Sequence, residues 1–187
     1  FGERGTEGKT EAARFAREHD VPYLGICLGM QTAVIEFARD VAGIADACSG
    51  EFSEEGSKVI DLMPDQHGDI PKGGTMRLGA YECALQKDGM LRGIYRADSI
   101  RERHRHRYEF NNAYRAVLEE KGLRIEGLSP DGRLVEAVSV PGCAFFVGVQ
   151  YHPEFKSRPN KAHPLFAEVI RAAAERAKSA KDRNCDQ

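Results

Sequence analysis

Cys27 stands in the run Gly25-Ile26-Cys27-Leu28-Gly29-Met30-Gln31, directly after the apolar Val21-Pro22-Tyr23-Leu24. A cysteine framed this way at the end of a short buried strand is how a fold presents a nucleophile on a sharp strand-to-helix turn. Glycines two residues before and two residues after it remove Cβ atoms that would clash in that turn. The following helix aims its free N–H groups and positive dipole end at the sulfur, which favours the thiolate. Far downstream, Tyr151-His152-Pro153-Glu154 adds a base and a carboxylate. In an extended stretch, alternate residues face the same way, so Glu154 can fix the imidazole tautomer of His152 and stabilise the imidazolium. A cysteine, a histidine and a glutamate in these roles do nucleophilic chemistry on an acyl group.

An α/β alternation positions these groups. Thr10 to Glu18 reads as a helix with Ala12, Phe15 and Ala16 on one face. Val21 to Ile26 is nearly continuous in apolar character, as a parallel strand buried on both sides requires. Met30, Val34, Phe37, Ala38 and Val41 keep helical spacing, so the helix after Cys27 packs one face on a sheet. Lys58–Met63 and Thr75–Leu85 read as strands of a middle region broken by Pro64, Pro71, Gly73 and Gly74, and Ser99–Asn111 as extended. A helix over Ala113–Lys121 precedes strands at Leu123–Leu128, Leu134–Val138 and Ala144–Gln150, divided by Pro130-Asp131-Gly132 and Pro141-Gly142. Pro164 opens a closing helix with Phe166, Val169, Ile170, Ala173 and Ala174 as its apolar stripe. One domain is expected over residues 1–177, followed by a polar, frayed tail over 178–187.

Composition excludes several classes. A chain of 187 residues can bury roughly 70% of its unfolded surface, enough for one well-cored domain. A net charge of −2 provides no global attraction to nucleic acid or anionic membranes. No apolar stretch approaches the ~18 residues of a membrane span. Five widely spaced cysteines without a CxxC pair suit a reduced, cytoplasmic compartment. Cys48, Cys83 and Cys143 read as core and Cys185 as a tail thiol. The chain opens at Phe1 without Met, so it is expected to be part of something longer.

The run Gly25–Gln31 together with Gln150–Glu154 resembles a class I, triad-type glutamine amidotransferase domain. Phe1-Gly2-Glu3-Arg4-Gly5-Thr6-Glu7-Gly8, Lys72-Gly73-Gly74-Thr75-Met76-Arg77-Leu78-Gly79, Arg101–Asn111 and Tyr151–Pro159 narrow the resemblance to the CTP synthase family, over residues 1 to about 177. It implies an α/β fold with an open, mostly parallel sheet, helices on its faces and a nucleophile elbow. It also implies hydrolysis of L-glutamine by Cys27, His152 and Glu154, with the Leu28 backbone N–H as an oxyanion donor. Leu28, Gly29, Met30, Gln31, Glu51, Arg107 and Tyr108 would line the glutamine pocket. The ammonia would serve ATP-dependent amination of UTP to CTP on an upstream synthetase domain, which would hold ATP and Mg²⁺. GTP would act as an allosteric activator, with Arg4, Glu7 and Arg77 as contributors, and the full-length enzyme would be a homotetramer.

In this family a glycine pair just before the Phe1–Gly5 segment supplies the second oxyanion donor. The chain begins after that pair, after the first strands of the sheet and after the synthetase domain, so it is expected to be a poor glutaminase alone. An amidotransferase for another acceptor, as in GMP or anthranilate synthesis, and a non-catalytic regulatory domain of the same fold are the alternatives. The intact Cys27, His152 and Glu154 argue against the second.

Other signals have plainer readings. Strand alternation puts Arg101, Arg103, Arg105 and Arg107 on one face, but Glu102, Glu109 and an acidic chain argue against a nucleic-acid patch. His104 and His106 lack a Cys or carboxylate cluster that would make a metal site, and His67 with Asp69 is weaker still, so no metal is expected. Gly8-Lys9-Thr10 ends like a P-loop, yet the glycine that pattern requires is replaced by Glu3.

Overall fold

The computed structural model describes residues 4–62 and 76–185, with side chains through residue 180. Along the chain come α1 (Thr6–Glu18), β1 (Tyr23–Ile26), α2 (Leu28–Asp40), β2 (Ala47–Ser49), β3 (Ser57–Leu62), β4 (Arg77–Leu85), α3 (Met90–Tyr95), β5 (Ser99–His106) and β6 (Tyr108–Phe110). After a 3₁₀ turn at Asn112–Tyr114 follow α4 (Arg115–Glu120), β7 (Arg124–Leu128), β8 (Val135–Ser139), β9 (Phe146–Val149), a second 3₁₀ turn at Pro153–Phe155, and α5 (Pro164–Cys185). The motif residues Phe1–Glu3 and Lys72–Thr75, and His67 with Asp69, lie outside the described residues.

Six strands form the main sheet in the order β1-β9-β8-β7-β4-β5, and β2-β3-β6 form a smaller one. The expected parallel character holds at β1–β9, whose partners lie far apart in the sequence, and at β2–β3. The remaining described pairs are antiparallel, which corrects the expectation of a mostly parallel sheet. β7, β8 and β9 follow one another through short loops that reverse the chain, so each lies antiparallel to the one before.

β9 lies between β1 and β8 and is buried on both faces. Phe146 enters one core with α1 and α2, while Val147 and Val149 enter a second core with α3 and α5. Gly148 is where α2 comes closest: a Cβ there would lie 3.0 Å from Met30 Cγ. This contact seats α2 directly over β9.

Three details depart from the sequence reading. In α1 the buried positions are Thr10, Ala13 and Ala16, whereas Phe15 is 57% exposed and stacks on His19. Small side chains make that seam because Arg17 must reach Glu36 of α2, at 2.6 Å. In α5 the inward face is Leu165, Val169 and Ala172, and Ile170 points outward. The helix also continues past Lys178 to Cys185, through residues with no Gly or Pro to stop it. Among the described residues, no helix is long and apolar enough to cross a membrane.

Candidate active site

Cys27 ends β1 and caps α2 with φ 51° and ψ −105°. This is a strained backbone conformation for a side chain with a Cβ, of a kind that costs ~1–3 kcal/mol and persists only when the surroundings enforce it. Both sides do. The Cys27 N–H donates to the Val149 carbonyl at 2.8 Å, continuing the β1–β9 ladder, and the Gln31 N–H donates to the Cys27 carbonyl at 3.1 Å, starting α2. The turn leaves no room at Gly25, where a Cβ would lie 2.7 Å from the Gly29 carbonyl carbon and oxygen. The same carbonyl accepts from the Tyr23 hydroxyl at 2.7 Å and from Thr32 Oγ1 at 3.1 Å. Gly29 is different from the expected clash: a Cβ there would meet only the Tyr23 hydroxyl, at 3.8 Å.

The sulfur lies in a desolvated site, and burial pushes the Cys27 thiol up to about 11. The Leu28 backbone N–H pulls the other way, while Glu51, Glu109 and Glu154 add to the rise. The resting group is therefore a thiol: the helix terminus favours thiolate, as expected, but does not prevail. One dipole end is outweighed by lost hydration and three carboxylates. Gln150 Nε2 donates to the sulfur at 3.6 Å.

His152 follows β9 by three positions, and its backbone N–H donates to the Arg103 carbonyl at 2.8 Å. Its Nδ1 lies 2.6 Å from Glu154 Oε1, so Nδ1 carries the proton. Nε2 is buried with no partner, available to take or give one. The two side chains meet through the 3₁₀ turn Pro153–Phe155 and not through an extended stretch.

The residues expected at the glutamine pocket occupy the same neighbourhood. Burial raises the Glu51 carboxyl, and the charge of Arg107 opposes that. Arg107 keeps a buried Nε without a partner. Gln31 Nε2 donates to the Tyr108 carbonyl at 2.9 Å and to Gln150 Oε1 at 3.2 Å. Leu28, Gly29 and Met30 form the first turn of α2. Met30 is wholly buried, its side chain packed against β9, so the side chain is not offered to a ligand.

Arg4, Glu7 and Arg77 are not gathered in this way. Glu7 of α1 pairs with Arg39 of α2 at 2.9 Å. Arg77 is buried, with its guanidinium 2.8 Å from Glu136 and 3.4 Å from Glu109 and 4.6 Å from the Tyr81 ring centroid. Glu136 also faces His104 Nε2 at 2.8 Å. For the Glu136 carboxyl, burial acts upward, but hydrogen bonds from His104 and Arg77 bring it below its usual range. His106 is held neutral, at about 3, by burial and by the nearby His104 and Arg77. His104 and His106 thus belong to an ionic cluster inside the domain. Among the described residues no group of three His, Cys, Asp or Glu could hold a metal ion. Of the other cysteines, Cys83 is buried and Cys48 and Cys143 are half-buried, so the latter two lie at the margin of the core.

Gln150, Glu109 and Glu136 are functional or supporting residues that sequence reasoning did not single out. Gln150 had one signal, its place two residues before His152. A buried glutamate has none, since in sequence it looks like any solvated charge.

The chain matches the family model of class I glutamine amidotransferases over residues 1–172. It is 56% identical over 175 residues to a CTP synthase of Ruminiclostridium cellulolyticum, spanning 94% of this chain and 33% of that protein. To a CTP synthase of Rubrobacter xylanophilus it is 59% identical over 181 residues, 96% of this chain and 33% of that one. The chain thus spans about a third of the length of these curated relatives. Among solved structures, the glutaminase domain of Trypanosoma brucei CTPS with bound acivicin superposes with a TM-score of 0.87 at 42% identity, covering 94% of this chain and 68% of that one. The chain belongs to the class I glutamine amidotransferase family, as a glutaminase domain of the CTP synthase type.

Proposed function

We propose that this chain hydrolyses L-glutamine through Cys27, His152 and Glu154. The observation that supports this most is the strained Cys27 elbow, with donors on its sulfur and the His152–Glu154 pair just past the end of β9, the strand that pairs with β1. His152 Nε2 takes the thiol proton as the sulfur attacks the side-chain amide carbon. The C–N bond then breaks, His152 returns the proton to the leaving nitrogen, and ammonia departs from a glutamyl thioester. Water adds to the thioester, giving its proton to His152. The C–S bond breaks, glutamate leaves, and the thiol is restored. Glu154 holds the imidazole with Nδ1 protonated and stabilises the imidazolium. The Leu28 N–H, aimed at the sulfur at rest, is placed to donate to the oxyanion. Glu51 and Arg107 suit the α-amino and α-carboxylate groups of the substrate.

The ammonia would pass to a synthetase domain that aminates UTP with ATP and Mg²⁺, as the CTP synthase relatives suggest. In this reading the whole enzyme is a GTP-activated homotetramer of the cytoplasm. Because Arg77 is enclosed by Glu109 and Glu136, any part it plays in a GTP response works through its contacts with those two side chains.

The test is covalent labelling with a diazo-ketone analogue of glutamine, followed by peptide mass spectrometry. An adduct on Cys27 that glutamine competes away is the expected result. A folded protein that stays unlabelled at Cys27 would overturn the assignment.

A further inference from the structure

Gln150 is fully buried, and its side chain ends on the nucleophile. We propose that Gln150 is the donor that holds the Cys27 sulfur and stabilises it as it becomes a thiolate, at the end of a directed hydrogen-bond chain from Tyr108 through Gln31.

The direction of that chain follows from its first member. The Tyr108 carbonyl can only accept, so the group of Gln31 that faces it at 2.9 Å must be the amide nitrogen. The second hydrogen of that nitrogen points to Gln150 at 3.2 Å, which must therefore present its oxygen. With its oxygen committed, Gln150 turns its nitrogen to the Cys27 sulfur at 3.6 Å. Each amide is oriented by the one before it, and the sulfur receives an N–H.

A purely structural role does not account for the last contact. Neutral sulfur is a weak acceptor, so a buried N–H gains little from it in the resting thiol. The same N–H becomes a charge-assisted donor once the proton moves to His152. Stabilisation thus appears where the reaction needs it, on a sulfur facing Glu51, Glu109 and Glu154, with His152 Nε2 as the buried base and the Leu28 N–H as the other donor. The chain also starts at the residue beside Arg107, so the backbone of the substrate pocket and the nucleophile are tied through two side chains.

The proposal rests on Cys27 being the nucleophile, and its test separates the two. Iodoacetamide alkylation of Cys27 needs only the sulfur, and its rate is measured against pH in the intact protein for Gln150→Leu and the isosteric Gln150→Glu. Both variants should raise the midpoint, Leu by about one pH unit, which is roughly tenfold slower alkylation at a fixed pH below it. Glu should raise it further, since it replaces the donor by a carboxylate. An unchanged midpoint in a folded variant would overturn the role of Gln150. In the unmodified protein, the Gln150 side-chain amide proton resonance should move with the midpoint of the thiol titration, and a resonance indifferent to that titration would equally overturn it. Failure of the glutamine analogue to label Cys27, by contrast, counts against the glutaminase reading.

Discussion

Alanine at Gly25 and alanine at Gly29 should have opposite consequences, although the two glycines frame Cys27 symmetrically in sequence. A Cβ at Gly25 would lie 2.7 Å from the Gly29 carbonyl carbon and oxygen and 2.8 Å from Tyr23 Cε1, well inside the ~3.5–4.0 Å optimum for carbon contacts. Neither neighbour is free to retreat. The carbonyl is backbone, held by Tyr23 and Thr32, and the Tyr23 ring stacks on Phe146 with centroids 4.5 Å apart. Relief must come from separating β1 and α2, and overpacking of this kind costs about 1–3 kcal/mol. For a domain of this size that is roughly 2–12 °C in Tm. At Gly29 the added methyl meets an ordinary contact at 3.8 Å, and alanine in a helix gains up to about 1 kcal/mol over glycine. Urea unfolding of the two variants beside the parent chain measures the difference, and alkylation of Cys27 reports whether the elbow has moved. Equal losses in the two variants would refute the steric account.

Three further outcomes follow from the buried charges and the triad. Arg17→Ala leaves Glu36, which has no exposed surface, without its guanidinium partner, and should cost about 3–5 kcal/mol in thermal unfolding; a loss below about 1 kcal/mol would contradict this. Burial pushes the Glu109 carboxyl up to about 8 against the pull of Arg77. The folded state therefore keeps a proton that the unfolded chain releases near pH ~4.3. Its contribution to stability is complete below that pH and is lost as the pH rises through about 8. Glu109→Gln should flatten the stability profile across this window, and an unaltered slope would count against it. Glu154→Gln removes the carboxylate that fixes the His152 tautomer, and should lower kcat for glutamine hydrolysis by about 10²–10⁴ with KM little changed; steady-state kinetics decides it.

What the sequence made legible is what short-range chemistry encodes. The Gly25–Gln31 run specified a turn that the backbone of Cys27 adopts, and the Pro130-Asp131-Gly132 turn marked the boundary between β7 and β8. Pairing direction was less legible, because the same apolar run suits a parallel or an antiparallel neighbour once both its faces are buried. β2 and α3 were missed as elements, being three and six residues long. Helix faces in α1 and α5 went astray where small residues do the packing, since apolar spacing draws the eye to Phe15 and Ile170. In the site, residue types announced Cys27, His152 and Glu154. The ionisation of the sulfur depended on Glu51 and Glu109, distant in sequence, and on burial, which no local pattern reports.

One contact of the His152 segment has a consequence beyond catalysis. Among the described residues β5 is the last strand of the main sheet, and an open strand of this kind offers free carbonyls to any other extended chain. The His152 N–H takes the Arg103 carbonyl, and Lys156 Nζ takes that of Arg101 at 2.7 Å. Arg101, Arg103 and Arg105 meanwhile place like charges on the exposed face. The His152 segment therefore occupies carbonyls of this edge that another extended chain would need, which works against strand-to-strand association. Substitutions that loosen it should show themselves as insolubility at high protein concentration.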